Sequence, residues 1–244
     1  MKIIDDEIYC ENQDKKFKIV KFIFKNNEDS YQINEFIKEG KILATKLNPV
    51  LARDGTRNRK FKTILTNAIA GIISEWVWRN WLNQKSKEEN KHISFNKTKL
   101  EDIKNQIDIK VIFLDETSKD IEVRSSFPYT GIKNGVCKVF DIIGWYTNQI
   151  KIAEIKKDYY LRCLFPYKSY EFLDLLNVEF EVYLTGGATK EMLENSVHSK
   201  NKEFIPYDEI KDENIKTTEY RVIEPIINAL DTQEIKNIIF GAKK

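Results

Sequence analysis

The chain reads as an α/β protein, a central mixed β-sheet flanked by helices, and three features carry that reading. The segment "TILTNAIAGIISEWVWRNWLNQK" places Leu65, Ile69, Ile72, Ile73 and Trp76 at helical spacing, so one side is expected to be buried. From residue 107 the apolar period drops to two: "IDIKVIF" sets Ile107, Ile109, Val111 and Phe113 on one face and Asp108 and Lys110 on the other. Later strand-like runs are separated by short helical ones, the pattern of a layered mixed fold.

In chain order, "KFKIVKFIF" reads as a strand and "SYQINEFIKEG" as a helix stopped at Gly40. Residues 41–62 form a basic connector. Its segment "RDGTRNRKFK" carries Arg53, Arg57, Arg59, Lys60 and Lys62 against a single Asp54. Such a cluster suits backbone phosphates, or is simply a solvated loop. The helix follows, then a polar loop over 84–99. "LDETSKD" is a turn, and "IEVRSSF" resumes the alternation. "KVFDIIGWY", "IKIAEIKKDYYLRCLF" and "VEFEVYLTG" are further strands, with helices at "SYEFLDLLN" and "TKEMLENS". "LTGGATKEM" reads as a tight turn at Gly186 and Gly187, with Thr185 or Thr189 as N-cap; it lacks the endings of nucleotide-binding loops. "EPIINALDTQEIKNIIFG" closes the chain as a helix ending at Gly241. The expectation is a single domain over 1–244. Its core spans about 63–190, preceded by a strand, a helix and the connector (1–62) and followed by a helical extension.

Composition narrows the function classes. The chain has 40 Lys and Arg against 38 Asp and Glu, a net charge of +2, so the molecule as a whole is not a basic glove for nucleic acid. No run approaches the roughly 18 apolar residues that cross a bilayer, and the acidic start offers no secretory leader. Cys10, Cys137 and Cys163 have no C-x-x-C spacing and are expected as reduced thiols in a cytoplasmic protein. With only two histidines, His92 and His198, histidine-based catalysis has little to work with. Trp76, Trp78 and Trp81 are expected to pack in the core and at its rim.

The chemistry-bearing stretch is "DIEVRSSF". If 107–113 and 121–127 form a hairpin turning at residue 116, Asp108 and Lys110 lie opposite Arg124 and Glu122, within about 5 Å. A bare cross-strand surface ion pair would also produce this pattern. Carboxylate oxygens, however, suit Mg2+, a hard cation that keeps waters and binds phosphate oxygens. The metal lowers the pKa of a bound water, while a fixed cation neutralises charge growing at phosphorus.

Asp108, the hairpin, Glu122-Val123-Arg124 and a preceding helix bearing Glu75 resemble the PD-(D/E)XK nuclease superfamily, which includes many type II restriction endonucleases. The resemblance covers about 63–165, with "KKDYYLRCLF" similar to the third core strand. It implies a restriction-endonuclease-like sheet and a Mg2+-dependent (or Mn2+-dependent) DNA endonuclease acting as a homodimer. Asp108 and Glu122 would hold the metal, Glu75 would support it, and Arg124 would stand where the signature has Lys. Arginine stabilises phosphate charge but does not shuttle protons. The lysine role therefore passes to charge alone, or to Lys110, Lys151 or Lys156, or is lost, leaving an inactive DNA-binding or assembly protein. A second hairpin offers an alternative set: Asp141 facing Glu154-Ile155-Lys156, a literal E-x-K, though its polar residues share a face with Ile150 and Ile152.

Overall fold

The computed structural model describes residues 1–46, 60–98, 108–146, 155–203 and 219–241. Arg53, Arg57, Arg59, Lys151 and Glu154, all candidates by sequence, lie outside the described residues. The elements are β1 (Lys2–Cys10), β2 (Lys15–Lys25), α1 (Asn26–Lys46), α2 (Phe61–Glu88), β3 (Ser94–Lys97), β4 (Ile109–Ile112) and β5 (Ser118–Ser126). Then come α3 (Ile132–Asn134), β6 (Ile142–Tyr146), β7 (Tyr159–Leu164), α4 (Phe172–Leu175), β8 (Glu179–Thr189) and α5 (Lys190–Asn195). The chain closes with β9 (Ser199–Glu203), β10 (Glu219–Ile223) and α6 (Thr232–Ile239).

Seven strands form a mixed sheet in the order β1-β2-β8-β7-β5-β4-β3, with β1 and β3 at its edges. Only β5 and β7 run parallel; the other pairs are antiparallel. The expected mixed sheet flanked by helices is therefore present. A second, three-stranded sheet, β6-β10-β9, was not expected.

Two cores lie on opposite faces of the large sheet. Alternation along β5 and β7 sends Ile121, Val123, Leu161 and Cys163 into the core shared with α1, α2 and α6. Tyr160 and Leu164 point the other way, into the core that holds Trp145 of β6 and Ile223 of β10. The small sheet thus covers the face that the helices leave open.

Helix α2 is more deeply set than its five-residue stripe predicts. Half of its 28 residues are buried, among them Trp78 and Trp81. A helix that is apolar on most sides belongs inside. Trp78 Nε1 donates to the carbonyl of Arg162 at 3.1 Å, fixing the helix against β7.

Other expectations are corrected. Helix α1 runs through Gly40, where a Cβ would stand 2.3 Å from Ile69 Cγ1, so this glycine permits helix–helix contact and is no terminus. The acidic start is strand β1. The expected polar loop 84–99 contains the end of α2 and strand β3. Gly186 and Gly187 lie inside β8, not in a turn, although Thr189 does cap α5 by accepting from Met192 N at 3.1 Å. The C-terminal helix is shorter than expected and starts at a capping box of Asp231 and Glu234.

Gly186 has φ +77°, and a Cβ there would sit 2.0 Å from the Leu230 carbonyl oxygen. Gly186→Ala should therefore cost at least about 1–3 kcal/mol, through strain at a left-handed position and a clash with backbone. Urea denaturation would test this; an unchanged midpoint would refute it.

The cysteine expectation is also corrected. Cys10, ending β1, is disulfide-bonded to Cys137 in the helical turn before β6, and both are buried. Their separation of 127 residues hides the pairing from any reading by spacing. Cys163 alone is a free thiol; burial in the core pushes its pKa up to about 12.

Candidate active site

The β4–β5 hairpin forms, but its register differs from the expected one by two residues. Ile109 pairs with Ile121 and Lys110 with Asp120, which sets Asp108 beside Glu122 and not Arg124. The cause is the turn. Glu116 adopts a left-handed φ of +64° and its N–H donates to the Phe113 carbonyl, so the tip is centred one residue early. Lys110 is exposed and pairs across to Asp120, away from the candidate site.

Asp108 sits at the start of β4 with Oδ2 accepting from Val123 N at 2.7 Å. Burial raises its pKa to about 7, against the lowering effect of that hydrogen bond. Glu75 on α2 raises it further, while Arg124 and Lys157 act in the opposite direction. Glu75 is itself only 6% exposed, and its Oε1 is enclosed with no hydrogen-bond partner. Burial lifts its pKa to about 7 also, opposed by Lys97 and Arg79 through space. The simple surface pairing of Glu75 with Arg79 one turn on is not made: no contact ion pair joins them among the described residues.

Glu122 and Arg124 share the face turned toward the small sheet. They form an ion pair at 3.3 Å, both largely screened from solvent. Arg124 also donates to the Gly144 carbonyl at 3.2 Å and to Tyr146 Oη at 3.4 Å. Its guanidinium lies 5.2 Å from the Tyr146 ring centre and 5.6 Å from that of Tyr220. These contacts make it a rivet between the two sheets. Its in-register neighbour on β7, Arg162, is buried on the same face and donates to Ser126 Oγ at 2.6 Å. Burial lowers the Arg162 pKa to about 10.

Sequence reading missed Lys157. It precedes β7, is only 2% exposed, and lies close enough to Asp108 to favour that carboxylate's charge. Set in the polar run "KKD", it looked like a solvated residue.

Of the alternative set, Glu154 lies outside the described residues, while strand β6, which follows Asp141, pairs with β10. Asp141 is buried against Lys202 at 2.8 Å, and burial raises its pKa. Lys156 pairs with Glu194 at 2.8 Å and covers the Trp145 ring. From the basic cluster, Lys60 and Lys62 are exposed at the start of α2. A surface hollow lined by Asn90, His92, Phe113 and Asp115 lies at the turn end of the hairpin, away from Asp108, and holds none of the candidates.

Among the described residues, no three His, Cys, Asp or Glu side chains gather closely enough to form a metal cage. Mg2+ does not require one, since it is commonly held by one or two carboxylates with waters and substrate phosphates. Asp108, partly buried, and Glu75, buried, are carboxyls raised toward neutrality that a divalent cation would stabilise in charged form.

Over 247 aligned residues the chain is 26% identical to an uncharacterized protein of Methanocaldococcus jannaschii, covering 89% of this chain and 85% of that protein. No protein-family model matches the chain. No solved structure matches it.

Proposed function

We propose that this protein is a Mg2+-dependent DNA endonuclease with a restriction-endonuclease-like core. The observation that carries the reading is the placement of Asp108 among Glu75, the Glu122–Arg124 strand and Lys157. Supporting it is the order of elements: helix α2 bearing Glu75, the β4–β5 hairpin and then strand β7, the helix, hairpin and following strand on which the resemblance to PD-(D/E)XK nucleases rests. In this reading Asp108 and Glu122 hold the metal and Glu75 supports it. Lys60, Lys62 and the basic residues before them hold backbone phosphates. Mg2+, or Mn2+ in its place, would supply charge neutralisation at phosphorus and a more acidic bound water. The chain's own residues orient the carboxylates and provide positive charge, with Glu75 on the α2 side of the large sheet and Glu122 and Arg124 on the side of the small sheet.

Cleavage of both strands would use a homodimer. The protein would work in the cytoplasm beside its DNA, a compartment where disulfides are rare, so the buried Cys10–Cys137 bond would have to persist there by being shielded from reductants. No helix among the described residues is long and apolar enough to cross a membrane.

Supercoiled plasmid should be nicked in Mg2+ or Mn2+ and left intact in EDTA. Glu122→Ala should slow nicking by at least about 100-fold, the scale of removing one polar contact to the reacting group. Intact plasmid in both metals across several DNA sequences, or an unaffected Glu122→Ala variant, would overturn the reading. A second reading, an inactive DNA-binding or assembly protein on the same fold, draws support from Arg124, which stands in the lysine position and is engaged by Glu122, Gly144 and Tyr146. Salt-dependent DNA binding without nicking would favour it.

A further inference from the structure

We propose that Lys157, and not Arg124, is the cation that contacts the DNA phosphate beside Asp108; its placement at the cleaved bond rests on the nuclease reading. Arg124 is committed elsewhere. Its guanidinium is shared among Glu122, the Gly144 carbonyl and Tyr146 Oη and is flanked by two tyrosine rings, so turning it toward a substrate would unpin the small sheet. Other nearby cations are also occupied: Lys97 pairs with Glu39, and Lys119 donates to Tyr159 Oη at 3.1 Å.

Lys157 differs from these. Its backbone N–H is held by Tyr160 Oη at 2.8 Å, which fixes where the side chain starts. Its ammonium makes no hydrogen bond or contact ion pair among the described residues, yet it is not one of the fully enclosed polar atoms. With the residue only 2% exposed, its stem is buried and no more than a sliver of its charged tip meets solvent. Lys157 acts on Asp108 through space, with no contact ion pair between them among the described residues. A buried ammonium without a bonded partner is costly, and a phosphate oxygen would relieve that cost. Lysine suits this task as a compact point charge. It also enters from the strand parallel to β5, on the flank of the site opposite β4.

The test is DNA binding in EDTA across a salt series, so that contact is read without cleavage. Lys157→Met should reduce the slope of log affinity against log salt by about 0.9, one phosphate contact. It should also slow nicking in Mg2+ by at least about 100-fold with little change in Tm. Lys157→Arg should restore the slope, and Arg124→Met should keep the slope but lower Tm. Should the methionine variant fail to fold, Lys157→Gln is read in the same way. An unchanged slope, or a wild type without DNA affinity, overturns the proposal. A reduced slope in a protein that never nicks keeps the phosphate contact and discards the nuclease reading.

Discussion

Replacing Asp108 by Asn is expected to abolish nicking, by about 1000-fold or more, while making the metal-free protein more stable above pH 7. The activity loss corresponds to the several kcal/mol that a bound metal contributes to such a reaction. The stability gain follows from burial. The Asp108 pKa in the folded protein, about 7, is above its ordinary value of 3.8, so between those values the folded state holds a proton that the unfolded chain has released. Stability from this group is greatest at low pH, falls as pH rises from about 4 to about 7, and stays reduced above that. Glu75, also raised to about 7, acts in the same direction. The ceiling for one such group is about 4 kcal/mol. Asn carries no charge to bury. Denaturation at pH 5 and pH 8 in EDTA should show the wild type weakened at pH 8 and the Asp108→Asn protein less so. Adding Mg2+ at pH 8 should restore the wild type alone, by mass action. If both proteins share one pH profile, the Asp108 environment described above is wrong.

Reduction of the Cys10–Cys137 bond should be the largest stability effect from a single covalent change. The bridge closes a loop with a sequence separation of 127 residues, for which chain entropy in the unfolded state gives about 4–5 kcal/mol, with 2–4 kcal/mol typical in practice. Cys137→Ser is expected to lower Tm by several degrees or more, and adding reductant to that variant should change nothing further. The wild type, with both sulfurs buried, should resist reductant while folded and lose the same stability once unfolded and reduced. A Tm equal in Cys137→Ser and oxidised wild type would show that the bridge contributes nothing.

How much of this was legible in the sequence depends on which physical signal each element carries. Helix α2 and strands β5, β7 and β8 announce themselves because apolar residues at period 3.6 or 2 must face a core. Strand β1 is hidden because Asp5, Asp6 and Glu7 interrupt its alternation, and all three are exposed. Strands β3 and β9 are short and polar, and their place is set by partners far along the chain. The residues of the candidate site were legible, but their register was not. Glu116 takes a left-handed turn position usually held by Gly or Asn, so nothing in its identity marks the tip. That Arg124 joins two sheets was not legible because the tyrosines that flank it lie 22 and 96 residues away, in a sheet assembled from distant segments. Lys157 was missed for a related reason: burial of a charged residue is a property of the assembled layers.

The two rims of the large sheet bear on how copies of this chain can meet. At one rim, Asp5, Asp6 and Glu7 stand in succession on β1, and two such strands meeting across a twofold would oppose carboxylate to carboxylate. At the other, β3 is only four residues long, too short a ledge to template a lasting ribbon. Self-association by extending the sheet is thereby discouraged at both ends. On the nuclease reading proposed above, a homodimer is not expected to form by extending the large sheet, so the spacing of its two sites would be set by other surfaces of the molecule.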